Sequence, residues 1–423
     1  MNVVVIGSGA AAISAVETIR DVDKDSRVTI ISLEKEIYSP CLLPYYLSGD
    51  INEERLLFRD PHFYDRMRVD PIFKKATKVV PAQNSVLLED GDKVKYDKLL
   101  IATGSSPLSP KVEGIDKNGV FFFNTIEDAR KIVGWSEGTT RAVVIGAGFI
   151  GMEAAISLRN KGIDVSLVEM QDRVLPELLD KEIAEVAQKQ LKRNGIKVIL
   201  ESHVSELVGN GKVDGAILAR RRIECDMALI TAGIAPNIDL VKGTDINLGT
   251  GIIVDENMTT SVGNVYAAGD VAEAIDIVTK ERRINPIWPN AVKQGRVAAS
   301  NLLGIESKYE GSDRMNVIDI FGMPIVCIGH KVADSEEISA PGKKITLKDN
   351  RIVGLTFVGN IKSAGVILSL IRKGVDISRM KDIILKDEFG YGKVAKYESA
   401  AIAFGLERVV RPDRGVIARD ISA

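Results

Sequence analysis

The stretch Val3-Val4-Val5-Ile6-Gly7-Ser8-Gly9-Ala10-Ala11-Ala12 decides the fold of the first part of the chain. Its apolar residues indicate a buried strand that runs directly into a Gly-rich turn and then into a helix. In such a turn the first glycine permits a tight bend, and the second lets backbone N–H groups approach a pyrophosphate. Ala12 stands at the third position, where a small residue packs the helix against the strand. The next apolar strand, residues 28–31, precedes Glu34, whose carboxylate would accept hydrogen bonds from ribose hydroxyls.

The same arrangement recurs at Ala142-Val143-Val144-Ile145-Gly146-Ala147-Gly148-Phe149-Ile150-Gly151, and its following strand ends at Glu169. One Gly-rich turn would be weak support for nucleotide binding, but two copies, each with the strand, the helix and the acid in place, are specific. The repeat extends further, because Ala102-Thr103-Gly104 aligns with Thr231-Ala232-Gly233 at the end of a later strand. The sequence therefore predicts one nucleotide-binding unit that is duplicated, and hence two bound nucleotides.

The remainder of the chain carries one more acidic turn and then changes character. Ala268-Gly269-Asp270 follows a short strand, and Trp288-Pro289-Asn290-Ala291 opens a predicted helix. From about residue 313 the apolar residues alternate as in antiparallel strands, and residues 359–373 are predicted to form a helix. Because no nucleotide motif recurs there, this last stretch is predicted to pack rather than to bind.

The composition excludes several classes of protein. The length of 423 residues suggests about three domains. A formal net charge of -2 argues against a nucleic-acid or membrane-surface protein, which would be basic. No apolar run is long enough to span a bilayer, and the N-terminus lacks the pattern of a signal peptide. The 3 cysteines lie far apart, which argues against a disulfide framework and against a metal site. We expect a cytoplasmic protein.

In order and spacing, these motifs resemble those of the pyridine nucleotide-disulfide oxidoreductases, which are flavoproteins. The resemblance covers essentially the whole chain. It implies an α/β fold with two Rossmann-like dinucleotide-binding domains of the glutathione-reductase type and a C-terminal α+β interface domain. The implied boundaries are 1–112 and 246–312 for the two parts of the FAD domain, 113–245 for an inserted NAD(H) domain, and 313–423 for a dimerisation domain. The resemblance also implies a homodimer.

The resemblance assigns cofactor-binding roles to matching positions, and no metal ligand is among them. For FAD and for NAD(H) the implied residues are Gly7, Gly9, Ala10, Ala11, Ala12, Glu34, Ala102, Thr103, Gly104, Gly269, Asp270, Asn290, Ala291, Gly146, Gly148, Phe149, Ile150, Gly151, Glu169 and Gly233. The helix beginning near Ala291 would point its N-terminus at the flavin, where negative charge builds up on reduction. A carboxylate at Glu169 would repel a 2′-phosphate, so NADH is expected in preference to NADPH, although Arg173 lies close by.

Cys41 is the residue implied as catalytic. It precedes a predicted short helix over residues 42–48, whose N-terminus would lower the pKa of the thiol. The single-cysteine branch of the family includes coenzyme A-disulfide reductases, NADH oxidases and peroxidases, and NADH-dependent polysulfide reductases. In that branch the cysteine precedes a stretch similar to Leu43-Pro44-Tyr45. Ferredoxin and rubredoxin reductase relatives have no redox cysteine there, and in that case Cys41 would be a bystander. Cys225 and Cys327 are interpreted as core residues.

The electron acceptor is less well defined. In oxidases and peroxidases of the family a histidine follows the second glycine of the first turn, and here Ala10 takes its place. This favours a disulfide or polysulfide as the acceptor. Two features that hold coenzyme A in relatives are altered, because Arg20-Asp21 replaces a paired arginine and Tyr38-Ser39-Pro40 precedes the cysteine.

The resulting prediction is transfer of hydride from NADH through FAD to a small sulfur or disulfide substrate at Cys41. The alternatives are an NADH oxidase, or a reductase subunit that hands electrons to an iron–sulfur or rubredoxin carrier protein. Tyr391 and Tyr397 occupy the region where tyrosines of the partner subunit assist in relatives. The surrounding motif differs, so we interpret them as surface or packing residues.

Overall fold

The computed structural model describes residues 1–219 and 221–396. The first unit begins with the strand and Gly-rich turn that open the sequence. Short 3₁₀ helices lie at Pro40–Leu42, Glu53–Leu56 and Pro81–Gln83. The other elements of this unit are β1 (Asn2–Ile6), α1 (Ala10–Val22), β2 (Arg27–Ile31), α2 (Leu43–Ser48), α3 (Phe63–Arg66), β3 (Val69–Ile72), β4 (Ala76–Val80), β5 (Ser85–Leu88), β6 (Lys93–Lys95), β7 (Lys98–Ile101) and β8 (Ser105–Pro107).

The second unit contains the same strand, Gly-rich turn and helix, and after it the chain returns to the first unit. Its elements are β9 (Val120–Phe122), α4 (Ile126–Ser136), β10 (Arg141–Ile145), α5 (Phe149–Asn160), β11 (Asp164–Val168), α6 (Lys181–Arg193), β12 (Lys197–Ile199), β13 (Val204–Val208), β14 (Gly215–Leu218), β15 (Arg221–Glu224), β16 (Met227–Ile230) and β17 (Ile234–Pro236). After a 3₁₀ helix at Asp239–Val241 come β18 (Ile252–Ile253), β19 (Val265–Ala267), β20 (Ala272–Ile275), β21 (Arg282–Arg283) and α7 (Trp288–Leu302).

Two parallel sheets of five strands confirm the α/β fold predicted from the repeated motifs. The first has the order β19-β7-β1-β2-β3, and the second has the order β12-β11-β10-β16-β9. β1 and β10 occupy the centres of their sheets, and Val3, Val4 and Val5 are completely buried, which explains their continuous apolar character. In both sheets the Gly-rich turn therefore lies at the carboxyl end of the central strand, where ligands bind in open α/β sheets.

The chain crosses between the two units twice, and the two crossings pair with each other. β8 runs antiparallel to β17, with Ser106 opposite Ala235. Thr103 and Asn237 reinforce this pairing, because the Thr103 hydroxyl donates to the Asn237 carbonyl at 2.9 Å and the Asn237 amide donates to the Thr103 carbonyl at 2.9 Å. β19 then joins the edge of the first sheet beside β7, so residues on either side of the second unit share one sheet.

The last part of the described chain is an antiparallel sheet covered by one helix, in agreement with the predicted alternation. Its strands have the order β22-β23-β26-β25-β24. The bounds are β22 (Met315–Asp319), β23 (Pro324–Gly329), β24 (Glu336–Ala340), β25 (Lys343–Lys348), β26 (Arg351–Val358) and α8 (Ala364–Lys373). Of the helices within the described residues, none has the length and apolar character needed to cross a membrane.

A close contact between α1 and α7 sets the geometry of the first site. Gly295 on α7 lies against the backbone of α1, where an added Cβ would stand 2.1 Å from the carbonyl oxygen of Ala11. Only glycine allows that approach, because any side chain would collide with backbone. The contact brings the N-terminal halves of both helices together at the carboxyl ends of β1 and β7.

Candidate functional site

The turn between β1 and α1 has the shape that an anionic group requires. Gly7 has a φ of 111°, and an added Cβ would lie 2.1 Å from the carbonyl oxygen of Ala102. Gly9 caps α1 without a side-chain hydrogen bond, and an added Cβ at Gly9 would meet nothing within 4 Å. The helix that begins at Ala10 and continues through Ala11 and Ala12 thus offers its first N–H groups beside open space, as a pyrophosphate site needs.

Glu34 lies beside this turn at the end of β2. Its backbone N–H donates to the Ser32 hydroxyl at 3.1 Å, and that hydroxyl pairs with the Ser8 hydroxyl of the turn at 2.8 Å. The Tyr38 hydroxyl donates to the Glu34 carboxylate at 2.5 Å. Burial raises the pKa of Glu34, and the bond from Tyr38 opposes that rise. The carboxylate is therefore held at the place where the ribose of a bound dinucleotide is expected.

Gly269 and Asp270 meet the same turn from the other side. The Gly269 N–H donates to the Gln294 side-chain oxygen at 2.8 Å, and an added Cβ would lie 3.2 Å from the Cβ of Ala11. The Asp270 carboxylate accepts a hydrogen bond from the Ser105 hydroxyl at 3.1 Å, and burial raises its pKa. Two segments far apart in the sequence thus come together at one site. The side chain of the neighbouring Thr103 is not directed to this site in the same way, because its hydroxyl donates to the Asn237 carbonyl.

The backbone and side-chain polar groups at the beginning of α7 are engaged in bonds within the protein. The backbone N–H groups of Asn290 and Ala291 both donate to the carbonyl of Ile287 at 3.1 Å. The Asn290 amide is also engaged, because it donates to the carbonyls of Asn285 and Asp313. Any effect of this helix on a bound flavin would therefore come from the helix dipole rather than from these polar groups.

The turn between β10 and α5 has the same construction as the first. An added Cβ at Gly146 would lie 2.5 Å from the carbonyl oxygen of Thr231, and one at Gly151 would lie 2.0 Å from that of Gly146. At Gly148 an added Cβ would meet nothing within 4 Å. The Glu169 carboxylate accepts hydrogen bonds from the N–H groups of Ala147 at 2.7 Å and of Gln171 at 2.9 Å. These bonds hold its negative charge beside the turn.

Arg173, the cation closest in sequence to Glu169, is bound within its own loop. Its guanidinium pairs with Asp172 at 2.5 Å and donates to the carbonyls of Leu179 and Pro176. A 2′-phosphate would therefore meet the Glu169 carboxylate rather than a free arginine, and the geometry favours NADH.

A cleft of about 1130 Å³ runs along the second turn. The second unit contributes Gly146, Gly148, Phe149, Ile150, Glu169 and Gly233 to its lining. The opposite wall comes from two other parts of the chain, and includes Arg283 and Asn285 beside α7 and Arg314 and His330 from the C-terminal sheet. The cleft is therefore a meeting point of three parts of the molecule.

Cys41 lies in the 3₁₀ helix Pro40–Leu42, and the residue as a whole is exposed, although its thiol loses part of its hydration. The predicted short helix follows as α2, with Pro44 in its first turn and Gly49 at its C-cap with a φ of 87°. The expected lowering of the thiol pKa is wrong for the unliganded protein, because the pKa of Cys41 is raised. Loss of hydration is the main cause and the charge of Glu153 is the next, with a smaller effect of Asp270. A three-residue turn before a six-residue helix cannot offset these effects.

Glu153 is not among the site residues predicted from the sequence. It lies on α5, one turn before Ser157, whose hydroxyl donates to the Pro44 carbonyl of α2 at 2.8 Å. This contact turns the Glu153 face of α5 towards the Cys41 segment. Burial raises the pKa of Glu153 to about 7. Its position two residues after Gly151 was visible in the sequence, but only the packing of α5 on α2 shows what it faces.

Other residues considered in the sequence fall outside the site. Cys225 and Cys327 are buried, as predicted. Arg20 is buried and donates to the carbonyls of Met67, Arg68 and Ser26, so its guanidinium is not available to a coenzyme. Tyr391 is exposed, and Tyr397 lies outside the described residues.

The fold and the two Gly-rich turns define an oxidoreductase with two dinucleotide-binding units. The chain belongs to the pyridine nucleotide-disulphide oxidoreductase family, whose sequence profile matches residues 1–295. As a member, it is an NAD(P)H-dependent enzyme that binds FAD and NADH.

Three relatives illustrate the range of the family. A protein named NADH oxidase from Methanocaldococcus jannaschii is 36% identical over 397 residues, covering 86% of this chain and 89% of that protein. The NADH-dependent phenylglyoxylate dehydrogenase subunit epsilon from Aromatoleum evansii is 31% identical over 405 residues, covering 92% and 96%. The solved structure of a NAD-dependent persulfide reductase from A. fulgidus is similar with a TM-score of 0.85 and 29% identity, covering 95% of this chain and 84% of that one.

Proposed function

We propose that FAD occupies the first site and NADH the second. FAD would lie along the Gly7–Gly9 turn, with Glu34 at the ribose and Asp270 at the ribityl phosphate. NADH would lie in the cleft along Gly146–Gly151, with Glu169 at its ribose. The proposed boundaries of the FAD-binding, NAD(H)-binding and C-terminal parts are those inferred from the sequence, at residues 112, 245 and 312.

We propose further that the enzyme reduces a disulfide or polysulfide at Cys41. One observation carries this proposal: Cys41 is exposed, and α5 of the second unit packs beside it on α2 through the hydrogen bond from Ser157 to Pro44. Cys41 therefore stands at the junction of the two nucleotide sites, accessible to a small substrate. When bound, FAD supplies the two-electron connection between NADH and this junction.

The chemistry of Cys41 would be thiol–disulfide exchange. Its thiolate attacks one sulfur of the substrate, the substrate S–S bond breaks, and a mixed disulfide forms while one thiolate leaves. Two electrons that originate from NADH then cleave the mixed disulfide and regenerate the Cys41 thiolate with release of the second thiol. One NADH, one disulfide and one proton give NAD⁺ and two thiols. Glu153, whose pKa of about 7 leaves it partly protonated near neutral pH, is placed to supply a proton.

The test is an anaerobic comparison of wild type with Cys41→Ser. We expect the purified protein to be yellow, and NADH should bleach its flavin absorbance equally in both proteins. Turnover with disulfides or polysulfide should fall by at least about 100-fold in Cys41→Ser, because a hydroxyl cannot form the mixed disulfide. Cys225→Ala, which removes a buried thiol that does not line the cleft, is the matched control and should retain turnover. Undiminished turnover in Cys41→Ser would refute the sulfur chemistry.

A second candidate is electron transfer to a carrier protein or to oxygen, with Cys41 as a bystander. The raised pKa of Cys41 favours it, since a protonated thiol is a weak nucleophile. The full-length similarity to a subunit of an NADH-dependent dehydrogenase also supports it. For the same pair of proteins this candidate predicts that Cys41→Ser reduces a ferredoxin or a rubredoxin anaerobically, and oxygen in air, as fast as wild type does. It also predicts that neither protein reduces disulfides.

A further inference from the structure

The inference concerns Arg314, and it rests on the assignment of the large cleft to NADH. Arg314 precedes β22 and lines this cleft from the C-terminal sheet, facing a space that the Gly146 and Gly148 turn also lines. That sheet carries no residue predicted from the sequence to bind a nucleotide. The resemblance placed every nucleotide contact within the first two units.

Two contacts hold the Arg314 guanidinium in place. One Nη donates to the carbonyl oxygen of Glu177 at 2.8 Å, and the other lies 3.4 Å from Nδ1 of His330. Because a guanidinium carries five N–H donors, three remain after these two contacts. Within residues 1–219 and 221–396, no carboxylate forms an ion pair with Arg314. Arg283, which also lines the cleft, does form an ion pair, because its guanidinium contacts the Glu281 carboxylate at 2.6 Å.

His330 owes its orientation to a buried carboxylate. Asp276 is completely buried and accepts hydrogen bonds from Asn285 at 2.8 Å, from two backbone N–H groups, and from Nε2 of His330 at 2.8 Å. These donors lower the pKa of Asp276 to about 2 and keep it ionised. With Nε2 donating to Asp276, the Nδ1 lone pair of a neutral His330 is directed at Arg314. The chain of contacts from Asp276 through His330 to Arg314 thus holds the Arg314 guanidinium at the cleft wall.

We propose that Arg314 binds the pyrophosphate of the nicotinamide dinucleotide from the wall opposite the Gly-rich turn, with His330 as its positioning residue. The turn offers neutral N–H groups and a helix dipole, while the pyrophosphate carries two negative charges. Lys111, Arg282 and Arg314 line the cleft without an ion pair within residues 1–219 and 221–396. Of these, Arg314 is the one held by His330 and Asp276, and its free donors suit two phosphate oxygens.

Equilibrium binding of ADP-ribose to the FAD-loaded enzyme, followed by titration calorimetry, tests the proposal without turnover. Arg314→Met should weaken ADP-ribose binding about 10-fold to 100-fold, as expected for loss of a charge-assisted contact. Arg314→Lys should recover part of the affinity, since lysine restores the positive charge but not the planar set of N–H donors of the guanidinium. Lys331→Met, which removes an equal charge from an exposed side chain paired with Glu337, is the matched control and should bind as wild type does.

Two further readouts separate a binding role from a structural one. In Arg314→Met and in His330→Gln the KM for NADH should rise, with little change in kcat and in melting temperature. Unchanged ADP-ribose affinity in Arg314→Met would refute the proposal. If Arg314→Lys does not restore affinity and the melting temperature falls, Arg314 has a structural role instead of a binding role. If wild type itself fails to bind ADP-ribose, the assignment of the cleft to NADH is wrong, and the two failures are thereby distinguished.

Discussion

Glu153 and Cys41 form a pair whose ionisation states depend on each other. Burial raises the pKa of both groups, and the charge of Glu153 raises that of Cys41 further. A thiolate therefore forms more readily when Glu153 is neutral, so the two protons come off as coupled steps. Because the pKa of Glu153 lies below that of Cys41, the carboxylate ionises first, and exchange with a disulfide would require Glu153 to hold its proton while the Cys41 thiolate forms.

The free energy of unfolding of the FAD-free protein should depend on pH because Glu153 is buried. Its pKa rises from the ordinary 4.5 to about 7 on folding. Below pH 4.5 both the folded and the unfolded state are protonated and the group contributes nothing. Between pH 4.5 and 7 the unfolded state ionises first, so wild type loses stability, and above pH 7 the loss is constant. Glu153→Gln should therefore be more stable at pH 8, by on the order of 1–3 kcal/mol.

This gain should shrink as the pH falls from 7 and should vanish below pH 4.5. Calorimetric melting temperatures of variant and wild type across this range measure it. Glu185→Gln, at an exposed glutamate on α6, is the control and should show no such gain. A gain of equal size at every pH would contradict the ionisation argument.

At the scale of elements, the two glycines in each turn after β1 and β10 serve different purposes: one is needed for folding and the other for binding. Gly7 and Gly146 have positive φ values and lie against the carbonyls of Ala102 and Thr231, so their role is to let the strand turn beside its neighbour. Gly9 and Gly148 cap the following helices with ordinary φ values of -77° and -70° and have open space around them. Their role is to leave room for a ligand.

A pair of alanine substitutions distinguishes these two requirements. Gly9→Ala should leave the stability of the FAD-free protein within about 1 kcal/mol of wild type, because the backbone conformation suits alanine. It should weaken FAD binding at least about 10-fold, because the new methyl group would keep the pyrophosphate from the N–H groups of α1. Gly7→Ala should instead destabilise the fold by several kcal/mol, about 3 or more, since its Cβ collides with backbone.

Chemical unfolding of the FAD-free proteins and fluorescence titration with FAD measure the two effects. The matched pair lies two residues apart in one turn, so a general disturbance of α1 would affect both variants alike. Wild-type FAD affinity in Gly9→Ala would place the pyrophosphate elsewhere.

At the scale of the whole molecule, contacts between the units surround the two sites. α5 of the second unit packs on α2 of the first through Ser157 and Pro44. The C-terminal sheet reaches the second unit through Arg314 and Glu177, and through an ion pair between Lys344 and Asp180. The Cys41 site and the cleft thus draw residues from more than one unit, so their geometry depends on how the units pack.

The resemblance to the family also predicts a homodimer formed through residues 313–423. Sedimentation velocity of the FAD-loaded protein should give a mass about twice the 45.9 kDa of one chain. The mass should stay constant over a tenfold dilution from about 10 μM, because a permanent interface of this kind is large and apolar. A single species of one-chain mass would contradict the prediction.

The sequence by itself determined the class of fold, the two nucleotide units and the catalytic candidate Cys41. The reason is local: a strand, a tight turn and a helix N-terminus are built from adjacent residues, so the glycines and the following acids are visible as spacing. Only the tertiary structure decided that Glu153 faces Cys41, that the thiol pKa is raised, that Asn290 is occupied by protein contacts, and that Arg314 lines the cleft of the second unit. These features depend on burial and on contacts between segments distant in the chain, and hydration lost on packing leaves no local pattern of residues.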